Sequence, residues 1–270
     1  MRKFVCATCG VQFSPSDQPP RACPICQDQR QYVPQSGQRW TTVEELRVEH
    51  RTEVRDDAGF TGLAALPRFA IGQRALLVPH VGRAAMWDCQ TLIDDDGIAA
   101  VRAAGGLSAI AISHPHYYSA MVEWAHAFDC PILLHAEDAR WIMRPDPAVQ
   151  LWQGDRHELG DGLTLLRLGG HFAGGTVLHI ERGSGTLLSG DIVQVIPDRE
   201  YVSFMYSYPN LIPLAEPEVR RIVSRLAPFR FDRILGAWWN TLVPHDADAI
   251  VRRSAERYIE ALNGNYPPGA

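Results

Sequence analysis

Three short apolar segments of this chain each end in a side chain that can bind a metal ion, and this recurrence constrains the fold more than any other feature. The segments end in His114-Pro115-His116, in Gly170-His171 and in Gly190-Asp191. Such short apolar runs predict buried strands, and the glycines allow the backbone to turn tightly where the strands end. Residues i and i+2 of an extended segment point to the same side, so His114 and His116 are expected to face one point.

These strand ends together offer three imidazoles and one carboxylate. That donor set suits Zn²⁺ or Fe²⁺. If the three strand ends meet at one cleft between sheets, the ligands are His114, His116, His171 and Asp191. Asp191 is also the candidate catalytic residue, because a carboxylate can accept a proton from a water molecule.

The remaining chain shows strand patterns followed by helix patterns, twice over. Helices are predicted at Asp94–Ala104, Ser119–Phe128, Glu216–Leu226 and Ala247–Leu262. Among the predicted strands are Leu46–Val54, which alternates in part, and Phe69–Gly72. This order predicts an α/β (α+β) fold in which two sheets pack together with helices outside.

The first forty residues differ from the rest because they contain four closely spaced cysteines. The cysteines form two Cys-x-x-Cys pairs, Cys6 with Cys9 and Cys23 with Cys26. Each pair forms a tight turn, and two such turns supply four thiolates for a tetrahedral ion, which we expect to be a structural Zn²⁺. We therefore predict a four-cysteine zinc ribbon at residues 1–40, with the metal supplying its folding energy, and a second domain at residues 41–270.

The ordered motifs resemble those of the metallo-β-lactamase-fold superfamily, over about residues 45–265. His114-x-His116 resembles the start of the family's His-x-His-x-Asp-His motif, and Gly170-His171 and Gly190-Asp191 resemble its next two ligands. Trp87-Asp88 resembles the family's structural aspartate. The resemblance implies an αββα sandwich with a metal site at the edge of its sheets, of which His114, His116, His171 and Asp191 would be the ligands.

This sequence lacks part of the family pattern. Ser119 stands where the aspartate of the motif is expected, and Ala120 stands where its second histidine is expected. Gly236-Ala237-Trp238-Trp239 stands where the family has its last ligand histidine. The resemblance is therefore to a degenerate member in which the ligands of a second metal are missing. It implies a catalytic site with one ion, Zn²⁺ or alternatively Fe²⁺.

Three functions are compatible with these motifs. The first is a hydrolase that uses a water or hydroxide bound to the single metal to attack an ester, amide or thioester of unknown identity. The second is a mononuclear non-haem iron oxidoreductase, in which a rubredoxin-like centre of four cysteines carries electrons. The third is a binding or scaffold protein whose catalytic site has decayed.

The net charge and the apolar runs of the chain limit the kinds of partner that it is expected to bind. The net charge of −5 argues against nucleic acid, and no apolar run reaches the roughly 20 residues that span a bilayer. The clustered cysteines favour a metal site in a reducing compartment, so we expect a cytoplasmic protein. A small-molecule substrate is expected, and a homo-oligomer is left open.

Overall fold

The computed structural model describes residues 1–265 and divides into two units. Within these residues, the first unit contains residues 1–153 together with 238–240, and the second contains residues 154–237 and 241–265. The four-cysteine ribbon belongs to the first unit. A domain boundary at residues 40 and 41 remains a prediction.

The four-cysteine ribbon contains little regular structure. Strand β1 (Val5–Cys6) pairs antiparallel with β2 (Trp40–Thr41), and the short helix α1 (Pro24–Gln27) carries Cys26. The ring of Phe13 meets the ring of Trp40 edge to face at 4.9 Å. The ribbon therefore closes on itself at the point where its chain leaves for the main sheet.

The first unit contains a seven-stranded sheet whose strands follow the order of the chain. The strands are β3 (Arg51–Asp57), β4 (Phe60–Leu66), β5 (Ala75–His80), β6 (Arg83–Trp87), β7 (Leu107–Ala111), β8 (Ile132–His135) and β9 (Val149–Trp152). Strands β3 to β6 pair antiparallel, whereas β6 to β9 pair in parallel. Parallel neighbours need a crossover, and two of the crossovers here are helices.

These crossovers are α3 (Asp95–Ala103) and α4 (Met121–Phe128). Helix α3 begins where it does because the carboxylate of Asp94 accepts a hydrogen bond from the backbone N–H of Gly97 at 2.9 Å. Both helices confirm the sequence predictions, although α4 begins two residues later than expected.

Two predicted strands of the first unit are wrong. Leu46 to Glu49 is part of helix α2 (Val43–Glu49), and only the segment from Arg51 onward is a strand. A capping box starts α2: the Thr42 side chain accepts from the N–H of Glu45, and the Glu45 side chain accepts from the N–H of Thr42. The predicted strand Phe69–Gly72 is a turn, with Ala70 and Gly72 both at positive φ.

The second unit contains a six-stranded sheet in the order β10-β11-β12-β13-β18-β19. These strands are β10 (Arg156–Gly160), β11 (Leu163–Arg167), β12 (Thr176–Ile180), β13 (Thr186–Gly190), β18 (Arg233–Gly236) and β19 (Leu242–Val243). The pairs are antiparallel except β13 with β18, which the connection through helix α5 (Glu216–Leu226) makes parallel.

Residues 194–213 of the second unit form two small hairpins. They pair β14 (Gln194–Val195) with β15 (Val202–Ser203), and β16 (Met205–Ser207) with β17 (Ile212–Pro213). Helix α6 (Ala247–Leu262) follows the sheet, and its bounds and those of α5 match the sequence predictions.

The core of the second unit explains why α5 is helical. Val219, Ile222 and Leu226 lie three to four residues apart on one face and are at most 3% exposed. Burying each such side chain stabilises the fold by about 1.5–3 kcal/mol.

Among residues 1–265, no helix combines the length and the apolar character needed to span a bilayer.

Candidate metal centres

The loop of residues 112–120, here called the histidine loop, follows strand β7. His114 is extended, and a short 3₁₀ turn at Pro115–Tyr117 carries His116. Both imidazoles are buried, at 1% and 3% exposure, and their ring centroids lie 5.1 Å apart. The sequence prediction that the two rings share one location is therefore confirmed.

Hydrogen bonds orient two of the predicted histidine ligands. Nδ1 of His114 lies 2.9 Å from the hydroxyl of Ser113, and Nδ1 of His171 lies 2.7 Å from the backbone oxygen of Tyr206. A carbonyl oxygen only accepts, so Nδ1 of His171 is the protonated nitrogen and Nε2 carries the lone pair. Such a partner on one nitrogen fixes the tautomer that a metal ligand requires.

His171 and Asp191 both follow strands, as predicted. Gly169 and Gly170 adopt positive φ just before His171, which places that ring after strand β11. Asp191 follows β13 and is 5% exposed. Its backbone oxygen accepts a hydrogen bond from the hydroxyl of Tyr208 at 2.6 Å. Burial and the negative charge of Asp191 raise the pKa of Tyr208, which keeps this donor protonated.

His114, His116 and His171 form a group that could hold a metal ion, and we call it the three-histidine group. The three ring nitrogens that would bind lie within 4.8 Å of one another. Three buried imidazoles suit Zn²⁺ and leave room for a further ligand. Within residues 1–265, Asp191 is not a member of this group, so its role as a ligand remains a prediction.

The histidine loop is held at its start by Asp88. One carboxylate oxygen accepts from the backbone N–H of Ser113 at 2.8 Å. Asp88 is only 1% exposed, and burial raises its pKa to about 7, although hydrogen bonds from Ser113 and the charge of Arg74 oppose that rise. The sequence resemblance identified Asp88 correctly as a structural residue.

Arg74 was missed at the sequence level. It directly precedes strand β5, is 2% exposed and forms an ion pair with Asp57. Its buried guanidinium lies 5.8 Å from the ring centroid of Trp239, which stands in the segment where the last family ligand is absent. The neighbouring Trp238 lies 6.5 Å from the ring of Tyr117, so an aromatic contact occupies this place.

The sequence prediction of Ser119 and Ala120 at the places of the missing ligands is wrong by one residue. By the spacing of the His-x-His-x-Asp-His motif, Tyr118 stands at the place of its aspartate and Ser119 at the place of its second histidine. Both are 2% exposed. The hydroxyl of Ser119 donates to the backbone oxygen of Cys89 at 3.2 Å and accepts from the side-chain amide of Gln73 at 3.0 Å. Burial raises the pKa of Tyr118 well above its usual value, so this residue is a neutral phenol.

The four ribbon cysteines form a second group that could hold a metal ion. All four side chains are at most 1% exposed and none is in a disulfide. Sγ of Cys6 lies 3.5 Å from that of Cys26, and Sγ of Cys9 lies 3.7 Å from that of Cys23. These separations match the edge of about 3.8 Å that a tetrahedron with bonds of about 2.3 Å requires. The residues therefore fit a tetrahedral site of four thiolates.

Hydrogen bonds to the sulfur atoms of the four-cysteine site also favour thiolates. Hydrogen bonds from the other cysteines, Cys23 first, lower the pKa of Cys6, whereas burial raises the pKa of Cys9. The side-chain amide of Gln38 donates to Sγ of Cys6 at 3.1 Å. An N–H donor to sulfur supports a charged ligand, as is common around metal-bound thiolates.

Solved structures define the fold of the chain. DIM-1 metallo-β-lactamase superposes with a TM-score of 0.57 at 15% identity, over 78% of this chain and 98% of that chain. FIM-1 metallo-β-lactamase from Pseudomonas aeruginosa, in its mono-zinc form, gives a TM-score of 0.55 at 12% identity, over 76% of this chain and 95% of that chain. The chain therefore has the metallo-β-lactamase fold, which confirms the fold class and the resemblance predicted from its motifs.

One relative places the chain within a family. The uncharacterized protein YmaE of Bacillus subtilis (strain 168) is 45% identical over 269 residues, which cover 97% of this chain and 98% of YmaE. The chain belongs to the same family as YmaE. No protein-family model matches the sequence.

Proposed function

We propose that this protein is a metal-dependent hydrolase that works with one ion held by His114, His116 and His171. The observation that carries the proposal is the buried three-histidine group. The metallo-β-lactamase fold supports it, and FIM-1, a protein of that fold, is described in a mono-zinc form. Asp191 is assigned as an additional ligand or as the group that accepts the proton of the attacking water.

A bound Zn²⁺ would supply a water of lowered pKa and would polarise the carbonyl of the substrate. The chain contributes orientation: Ser113 and Tyr206 fix the planes of two ligand rings through hydrogen bonds of 2.9 and 2.7 Å. The buried ring of Tyr117, with its centroid 4.3 Å from that of His114, restricts the movement of that ligand. These contacts favour one preformed geometry for an acyl-transfer reaction.

The residues at the places of the second metal's ligands support a single ion. Ser119 uses its hydroxyl in hydrogen bonds to Cys89 and Gln73, and Tyr118 is a buried neutral phenol. Neither side chain is a ligand that Zn²⁺ prefers at neutral pH. The proposed substrate is an ester, amide or thioester of unknown identity.

The four-cysteine ribbon is assigned a structural Zn²⁺. Its sulfur separations and its burial support this assignment. The six free cysteines support a reducing compartment, and we propose the cytoplasm. We also propose a small-molecule substrate rather than nucleic acid, since the net charge of −5 offers no basic surface excess.

Metal content per chain tests the proposal. Elemental analysis of zinc-reconstituted protein should give two ions for the natural chain and one for His116→Ala. His179→Ala is the matched control, because His179 is also a buried histidine of the chain, with Nε2 bonded to the backbone oxygen of Arg230 at 2.9 Å. It should keep both ions. An unchanged metal content in His116→Ala would overturn the proposal.

The reaction class is tested with a panel of esters, thioesters, amides and lactams. The natural chain should hydrolyse at least one class, and Asp191→Asn should lose that activity by a factor of about 10² or more. A coloured protein that retains iron at the three-histidine group and turns over none of these substrates would favour the iron oxidoreductase instead. A chain that binds only the ribbon metal would favour the scaffold function.

A further inference from the structure

We propose that the four-cysteine ribbon positions the histidine loop and thereby sets the affinity of the three-histidine group for its metal. The ribbon would then be part of the metal site's support. This inference rests on the proposed function for the metal at the histidines, but its evidence lies in contacts between the ribbon and the loop.

The ribbon reaches the histidine loop through its backbone. The N–H of Gln12 donates to the backbone oxygen of Ser119 at 3.0 Å. Two residues earlier, the backbone oxygen of Gly10 accepts from the hydroxyl of Thr91 at 2.8 Å, in a buried bond. A Cβ atom on Gly10 would lie 2.6 Å from that hydroxyl, so the two surfaces are packed as closely as a glycine allows.

The contact of Gln12 holds the far end of the histidine loop, and the contact of Gly10 with Thr91 holds the ribbon in the position from which Gln12 reaches that loop. Asp88 fixes its start through the N–H of Ser113, and Gln12 fixes its end at Ser119, which adopts a left-handed φ of 47°. A non-glycine residue in that conformation is strained and persists only where its surroundings hold it. His114 and His116 lie between the two fixed points. The loop therefore has one anchor directly after strand β6 and one in the ribbon.

A buried polar network strengthens the second anchor. The side chain of Arg144 donates to the amide oxygen of Gln12 and, at 2.7 Å, to the carboxylate of Glu123. Glu123 also pairs with Lys3 of the ribbon at 2.7 Å and belongs to helix α4, which starts directly after the loop. The ribbon is thus tied both to the loop and to the helix that follows it.

The cysteine ligands determine the shape of this anchoring segment. Gly10 follows Cys9 directly, and its N–H donates to the backbone oxygen of Cys6 at 2.8 Å. The N–H of Cys6 donates in turn to the backbone oxygen of Val11 at 3.0 Å. A metal that fixes Cys6 and Cys9 consequently fixes the backbone that presents Gly10 and Gln12 to the loop.

The test removes one anchoring bond without touching a metal ligand. Thr91→Val deletes the hydroxyl that bonds Gly10 at nearly constant volume. Thr52→Val is the matched control, because Thr52 is also buried and its hydroxyl has no hydrogen-bond partner within the described residues. The affinity of the histidine site for Zn²⁺ is measured by chelator competition on the full chain. Hydrogen exchange of residues 112–120 is followed in the same samples.

Thr91→Val should weaken zinc binding at the histidines about fivefold, which is the factor that corresponds to the loss of one hydrogen bond. It should keep the ribbon ion and speed amide exchange in the loop. Thr52→Val should leave both measurements as in the natural chain.

A second pair of variants covers the case in which Thr91→Val repacks. Gly10→Ala and Gly37→Ala both place alanine at positive φ in the ribbon, at 82° and 87°, but only the first meets the body of the protein. Gly10→Ala should weaken the histidine site more than Gly37→Ala does. If neither Thr91→Val nor Gly10→Ala differs from its control in zinc affinity and loop exchange, the positioning role is overturned. That result leaves the proposed function intact, because the proposed function is tested separately by the metal content of His116→Ala and by the substrate panel.

Discussion

Replacement of the buried Asp88 by asparagine should stabilise the protein at alkaline pH. Asp88 has a left-handed backbone with φ of 56°, a conformation that asparagine tolerates well. The amide oxygen of asparagine can still accept from the N–H of Ser113, and its NH₂ group can donate to the Ser113 hydroxyl. The substitution therefore removes a charge while it preserves the local geometry.

The size of the expected stabilisation follows from the pKa of Asp88. Burial raises the pKa of Asp88 from 3.8 to about 7, so the folded state holds a proton that the unfolded chain releases between these values. The free energy of unfolding of the natural chain must therefore fall as the pH rises through this window, by about 4 kcal/mol in total. The asparagine side chain never ionises. The variant should be more stable than the natural chain by about 4 kcal/mol at pH 8 and by less than about 2 kcal/mol at pH 5.

Urea denaturation at the two pH values, at one free zinc concentration, measures this difference. Asp161→Asn is the control, because Asp161 shares the left-handed backbone but is exposed. It should change the free energy of unfolding by no more than about 0.5 kcal/mol. If Asp88→Asn gives the same increment at pH 5 and pH 8, burial of an ionisable carboxyl is not what shapes the stability of this loop.

Three further predictions concern the turns, the ribbon and its thiols. Gly185→Ala should cost several kcal/mol more than Gly183→Ala in urea denaturation, because both glycines have positive φ but only a Cβ on Gly185 would overlap with backbone atoms. Burial opposes the lowered pKa of Glu123, but hydrogen bonds from Lys3 and Arg144 outweigh it. The stability that this lowered pKa contributes is fully present above the unfolded pKa of 4.5 and should be lost as the pH falls below it. Glu123→Gln should flatten that loss in an acid titration followed by circular dichroism. Chelator treatment should make the four ribbon thiols reactive to a thiol reagent, whereas zinc-loaded protein should react with none of them; equal reactivity in both states would contradict a metal site at these cysteines.

Local sequence patterns predicted the long helices and the strand ends well. Helix α5 was predictable because Val219, Ile222 and Leu226 recur at the helical period, and helix α6 for the same reason. The strands before His114 and His171 were predictable because short apolar runs end there. Such patterns depend only on neighbours along the chain, which is why they succeeded.

The failures arose where a local signal was overlooked or absent. The capping box of Thr42 and Glu45 marks the start of helix α2, but the partial alternation after Leu46 suggested a strand. The ion pair of Arg74 with Asp57 joins residues from different parts of the sheet, and no spacing in the sequence indicates it. The bond from Gln12 to Ser119 likewise depends on tertiary structure alone.

The attachment of the ribbon also has a consequence for the order of synthesis. The hydrogen bond between Gly10 and Thr91 joins residues 81 positions apart, and the hydrogen bond between Gln12 and Arg144 joins residues 132 positions apart. At about 5–20 residues per second, the ribbon waits roughly 4–26 seconds for these two partners to be synthesised. During this time the ribbon lacks its contacts with Thr91 and Arg144. The ribbon is therefore made before the residues that hold it in place, so the yield of folded protein in a cell should depend on the metal supply during those seconds.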